Sequence, residues 1–121
     1  AGLAAMAVGL ETAPDGAQMI APSAVAGVVG LKPTVGRVSR AGILPVAKSQ
    51  DSPGPIARTV YDAAVQLQTI SGSDPSDPAT IGAPPVPDYL AGLSTSALVG
   101  KRIAIVASNV VPYQTAVSTL T

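Results

Sequence analysis

At 121 residues, with seven basic and seven acidic side chains, the chain has the length of one domain with a real core and no net charge. Neutrality removes the electrostatic reason to expect nucleic acid or an anionic membrane surface as partner. The absence of cysteine and histidine excludes disulfides, thiolate or imidazole metal ligands, and Ser-His-Asp or Cys-His chemistry within the chain.

No metal and no cofactor is therefore expected. Hydrophobic content is 47% but aromatic content only 2%, so Ala, Val, Leu and Ile must fill the core. That composition suits helices packed closely on a sheet. Twelve glycines and twelve prolines predict many fixed bends. No apolar run approaches the roughly 18 residues that span a bilayer, and Ala1 to Val8 lacks the basic leader of a signal peptide. No membrane partner is expected, and the expected location is cytoplasmic. Without an initiator Met, the chain reads as a piece of something longer.

Residues 1–8 read as the end of a small-residue helix or as a buried strand, the run being too short to arbitrate. Gly9 to Pro22 reads as a loop broken by Pro14, Gly16 and Pro22. Ala26 to Leu31 is apolar on both faces and predicts a fully buried strand, ended by Pro33. Gly36–Ser39 and Ile43–Ala47 read as short strands or extended segments around an Arg40-Ala41-Gly42 turn, and Ser52–Pro55 as another turn.

The clearest helix is Val60 to Ile70. Val60, Ala63, Ala64, Leu67 and Ile70 form one apolar stripe; Thr59 and Asp62 make a capping box with Asp in place of Glu, and Gly72 supplies the stop. Residues 72–88 read as a loop or linker, and Tyr89–Leu93 as a short helix. Residues 102–107 read as a buried strand with a basic entry, and 108–121 as the start of a helix.

The stretch Gly27-Val28-Val29-Gly30-Leu31-Lys32-Pro33-Thr34-Val35-Gly36-Arg37-Val38-Ser39-Arg40 resembles the core of the amidase-signature hydrolases. Ile43-Leu44-Pro45-Val46, Ser49 to Val60 and Asp62-Ala63-Ala64 follow in that family's order and spacing. The resemblance covers residues 1–82 and fades beyond them. Within the family it is to the members that include bacterial peptide amidases. It implies an α/β fold, a mixed sheet covered by helices, with 83–121 continuing the same domain as a linker, a strand and a truncated end.

It also implies amide hydrolysis by a Ser, a second Ser on a cis peptide bond and a Lys that serves as base. Such a Lys needs no histidine, because burial lowers its pKa. The family places its nucleophile in a segment of the form Gly-Thr-Glu-Thr-Asp-Gly-Ser-Ile, followed closely by Pro. Here the corresponding stretch runs from Gly9 to Pro22 and is longer. Aligned from Asp15-Gly16 the nucleophile position is Ala17; aligned back from Pro22 it is Gln18. Neither can attack a carbonyl.

Asp15, Gly16, Ala17 and Gln18 remain candidates for an oxyanion loop, where backbone N–H groups would hold a developing negative charge. Ser23 is the nearest hydroxyl, read as packed or capping rather than as a relocated nucleophile. Lys32 reads as a strand-end charge, and Arg58 as the buried partner of Asp51, with substrate contact as the other reading. The Lys and cis-Ser motif of the family would lie upstream of Ala1.

No catalytic residue is therefore assigned, and the residues that bind substrate stay open. The chain is expected to be a segment of an amide hydrolase, inactive as it stands. The alternative is a degenerate, non-catalytic structural or interaction module on the same fold. Whether the chain is itself an enzyme is left open. Expected partners are a small amide or peptide amide for the parent enzyme, and another polypeptide segment or a second copy.

Overall fold

A computed structural model describes residues 2–12 and 16–102. In chain order its elements are β1 (Met6–Glu11), α1 (Ile20–Val25), β2 (Val29–Gly30), β3 (Ser52–Ala57), α2 (Val60–Ile70) and a 3₁₀ turn at Pro78–Thr80. The three strands form one antiparallel sheet with β3 in the middle, Met6 opposite Ala57 and Glu11 opposite Ser52 on one side, Val29 opposite Ala57 on the other. Among the described residues no helix is long and apolar enough to cross a membrane.

β3 corrects the turn expected at Ser52–Pro55: this proline-bearing stretch is the central strand, and all of it but Ile56 is buried. Residues along an antiparallel strand direct their polar groups alternately to the two neighbours. The Pro55 carbonyl accepts from the Leu31 N–H, so Pro53 and Pro55 turn towards β2. Their missing donors fall on that side, while Ser52, Gly54 and Ile56 face β1 with a full set. A proline can sit in mid-sheet here because one neighbour is only two residues long. Gly54 is required as well, since a side chain there would strike the Leu31 carbonyl.

The open choice at residues 1–8 resolves as a strand at Met6, and its outer edge is unpaired among the described residues. Because Ala7, Gly9 and Glu11 lie opposite the β3 residues that face β1, Met6, Val8 and Leu10 direct their polar groups outward. The loop expected from Gly9 to Pro22 is shorter than that, with strand up to Glu11 and helix from Ile20. Pro22 fits the first turn of α1, where no intrahelical partner awaits its N–H.

The fully buried strand expected over Ala26–Leu31 shrinks to Val29–Gly30 and is only half-buried. Ala26 caps α1, Gly27 turns at φ +68°, and the Val28 N–H returns to the Ser23 carbonyl. Gly36–Ser39 contributes one bridge, Val38 to Ser71, and Ile43–Ala47 is irregular. The turn at Arg40-Ala41-Gly42 forms, with the Ile43 N–H on the Arg40 carbonyl.

α2 spans the expected Val60–Ile70, and Ala63, Ala64 and Leu67 bury its stripe. Val60 departs from that expectation and is 60% exposed. The Thr59 hydroxyl accepts from the Asp62 N–H at 3.0 Å; Asp62 answers the hydroxyl rather than the Thr59 backbone. The helix leaves at Ser71, and Gly72 hands its N–H to the Arg37 carbonyl. Tyr89–Leu93 is a turn instead of a helix. The strand expected at 102–107 and the helix start at 108–121 lie outside the described residues, apart from Arg102, which is in no strand.

Candidate functional site

Glu11 ends β1 with its side chain wholly buried. A buried carboxylate costs several kcal/mol unless hydrogen bonds compensate it. Here the backbone N–H groups of Met19 (2.8 Å), Ile20 (3.2 Å) and Gln18 (3.4 Å) point at it. These are the otherwise orphaned donors at the start of α1, whose own N-cap residue, Met19, offers no side-chain acceptor. The negative charge also suits the positive end of the helix. Strand and helix are thus pinned together across the loop between them.

The next residue carries a second tie. The Thr12 N–H donates to Gln18 Oε1 at 2.6 Å, and its hydroxyl donates to Asp51 Oδ1 at 2.5 Å. Asp51 is buried and also accepts the Val46 and Ala47 N–H groups, each at 3.1 Å. The Thr12 hydroxyl, then these two N–H groups, hold the Asp51 carboxyl below the usual carboxylate range against the opposing effect of burial. The start of β3, the 43–50 loop and the site loop therefore share one anchor.

Beyond it lies the ion pair of the described residues, Arg40 with Asp77. Arg40 Nε and Nη2 grip the carboxylate at 2.9 and 2.8 Å, the Arg40 N–H adds a third bond at 2.9 Å, and Nη1 donates to the Lys48 carbonyl. The guanidinium holds Asp77 well below the usual carboxylate range, and Asp77 in turn raises Arg40. Asp77 also caps the 3₁₀ turn through the Ala79 N–H. Of the loop or linker expected at residues 72–88, the structure shows a loop with one 3₁₀ turn, tied to Arg40 at Asp77.

Of the oxyanion-loop candidates, Gly16, Ala17 and Gln18 follow one another across the turn before α1, with Gly16 at φ +72° and its carbonyl accepting from Ala21. Ala17 and Gln18 are exposed, so a ligand has access to them. Asp15 lies outside the described residues. Ser23 is buried on α1 against Gly30, where an added Cβ would meet its Oγ at 2.5 Å, so it packs rather than faces the loop.

Lys32 is exposed beyond β2. The expected Arg58–Asp51 pair does not form: Arg58 is exposed, and Asp51 is engaged by Thr12, Val46 and Ala47. The pair that does form, Arg40 with Asp77, was not foreseen from the sequence. Sequence reading also missed Glu11 and Thr12 as holders of the loop. Their signal was an acid closing an apolar run immediately before a break.

The Amidase family model matches residues 1–121. The chain belongs to the amidase family. It is 47% identical over 106 residues to a glutamyl-tRNA(Gln) amidotransferase subunit of Pseudomonas fluorescens, a match covering 87% of this chain and 22% of that protein. Among solved structures, PAM12A superposes with a TM-score of 0.87 at 48% identity, covering 99% of this chain and 24% of the other. The native peptide amidase of Stenotrophomonas maltophilia gives a TM-score of 0.69 at 53% identity, over 75% and 18%. The chain spans about a fifth of the length of the curated relatives it matches.

The α/β expectation is met, with all strand pairs among the described residues antiparallel.

Proposed function

We propose that this chain is the loop-bearing segment of an amide hydrolase, and that other segments supply the lysine and cis-serine of a Ser–cis-Ser–Lys mechanism. One observation carries the reading: Glu11 accepts the N–H groups of Gln18, Met19 and Ile20 and so ties to β1 the described residues at the end of the stretch that corresponds to the family's nucleophile segment. The substrate is a small amide or a peptide amide, by kinship with the peptide amidase. Residues 83–121 continue the same domain, and the location is cytoplasmic.

The open edge at Met6, Val8 and Leu10, with Val8 57% exposed, suits pairing with a further polypeptide segment or a second copy. The second reading, a non-catalytic module, draws on Ala17 and Gln18 standing at the nucleophile position.

Exchange of the matching stretch of the Stenotrophomonas maltophilia peptide amidase for this chain separates the two. The expected chimera folds and is silent, and Ala17→Ser or Gln18→Ser restores hydrolysis of an amidated dipeptide. A folded chimera that stays inactive with either serine gives the case to the non-catalytic module.

A further inference from the structure

A cavity of about 370 Å³ opens beside the Arg40–Asp77 pair, walled by Ile43, Pro45 and Pro78 and bordered by Lys48 and Asp51. None of Gly16, Ala17 and Gln18 lines it. Its volume is in the range of small-molecule sites, and its walls combine apolar rings and branches with a few convergent polar groups.

The state of each charged group decides what it can take. Formally two cations and two carboxylates line it, yet both carboxylates are already engaged. Asp77 is gripped by Arg40, and Asp51 is filled by one hydroxyl and the two N–H groups of Val46 and Ala47. The cations are not filled. Lys48 has no ion-pair partner among the described residues. Arg40 has five N–H donors on its side chain, of which Nε–H and one on each terminal nitrogen are engaged. One N–H therefore remains on Nη1 and one on Nη2, the pair of atoms that meets a carboxylate in bidentate fashion.

We propose that this cavity binds a small monocarboxylate with a compact apolar body, its carboxylate held by Lys48 and the free N–H groups of Arg40 and its hydrocarbon part against Ile43, Pro45 and Pro78. Asp77 balances Arg40, and the oxygens of Asp51 are taken up by Thr12, Val46 and Ala47, so the donors left for an incoming carboxylate are the Lys48 ammonium and two Arg40 N–H groups. A cation would meet Lys48 and two carboxylates whose oxygens are already engaged, and a neutral amide would accept from these cationic donors more weakly than a carboxylate does. The site stands independently of the hydrolase reading.

The test is an amide ¹H–¹⁵N NMR titration of the 121-residue chain with 3-methylbutanoate, its neutral amide and 3-methylbutylamine. The expected result is saturable shifts at Ala41, Lys48 and Ser76 with the carboxylate alone, weakened about tenfold in Lys48→Gln, the loss of one charge-assisted contact, and largely retained in Lys48→Arg. Lys48 is exposed, so neither substitution endangers the fold. Equal binding of the amide, no saturable shift at millimolar carboxylate, or unchanged affinity in Lys48→Gln overturns the proposal.

Discussion

The Thr12 hydroxyl donates to Asp51 Oδ1 over 2.5 Å, joining residues 39 apart in sequence and closing the site loop onto the start of the central strand. Glu11 accepts the Gln18, Met19 and Ile20 N–H groups, so Thr12 and residues 18–20 are each engaged by a buried carboxylate. Such a network acts as a unit, because each member orients the next.

That coupling is measurable. Thr12→Val and Asp51→Asn should each lower the urea midpoint, and the double variant should lose less than the sum of the two, since the second change has no bond left to break. Additive losses in the cycle would show that the 2.5 Å contact contributes nothing of its own.

Along α2 the burial contrast sets a second expectation. Leu67 is 5% exposed and Val60 60%. Leu67→Ala should cost about 2–5 kcal/mol, by lost transfer energy plus the cavity left behind. Val60→Ala should stay within about 0.5 kcal/mol, as surface substitutions do. Chemical denaturation of both variants checks the pair, and equal losses would mean that the helix packs on another face.

How much of this was legible in sequence follows from how local each signal is. The helix Val60–Ile70 could be read because its stripe, its Thr59 cap and its stop at Gly72 are all neighbours in sequence. The stripe could not say that Val60 is exposed, since that depends on tertiary packing. β3 itself was hidden behind Pro53, Gly54 and Pro55, which signal a turn. Only the pairing of the neighbours shows that their missing donors face the short side. Likewise Arg40 meets Asp77 across 37 residues, and no local pattern distinguishes that partner from the nearer Asp51. Glu11 as the acceptor for the Gln18, Met19 and Ile20 N–H groups becomes visible only with the start of α1 in place.

Acid stability supplies a third prediction. Asp77, Asp51 and Asp74 all have folded-state values below the ordinary carboxylate value, through Arg40, Thr12 and Ser39 respectively. A depressed folded value means that the unfolded chain binds protons first. The stability these groups contribute is therefore fully present above an unfolded pKa of about 3.9 and is lost as pH falls through their folded values. Arg40, shifted upward, loses its contribution only in strong alkali. Stability should be flat through neutral pH and decline below about pH 4, and Asp77→Asn should flatten that decline. A midpoint that already falls between about pH 7 and pH 5 would assign the dependence to other groups.

The last prediction is catalytic silence of the chain by itself. On the proposed Ser–cis-Ser–Lys mechanism, amide hydrolysis would require a hydroxyl nucleophile, a lysine with a lowered pKa and a loop of N–H donors acting together. Loss of the nucleophile removes most of the rate and leaves what positioning and the oxyanion donors supply. On the proposed alignment Ala17 or Gln18 stands at the nucleophile position, and Ser23 is buried against Gly30. All three lysines, Lys32, Lys48 and Lys101, are exposed, whereas a relay lysine needs burial to give up its proton near neutrality. The chain should show no turnover of small amides or peptide amides. Ala17→Ser should not rescue it, because a new hydroxyl without a buried lysine stays protonated and weakly nucleophilic. Hydrolysis assays of both forms, with a fluorophosphonate probe and peptide mapping, provide the check. Turnover by either form, or covalent labelling at Ser23, would place the nucleophile elsewhere and overturn the assignment of the site loop.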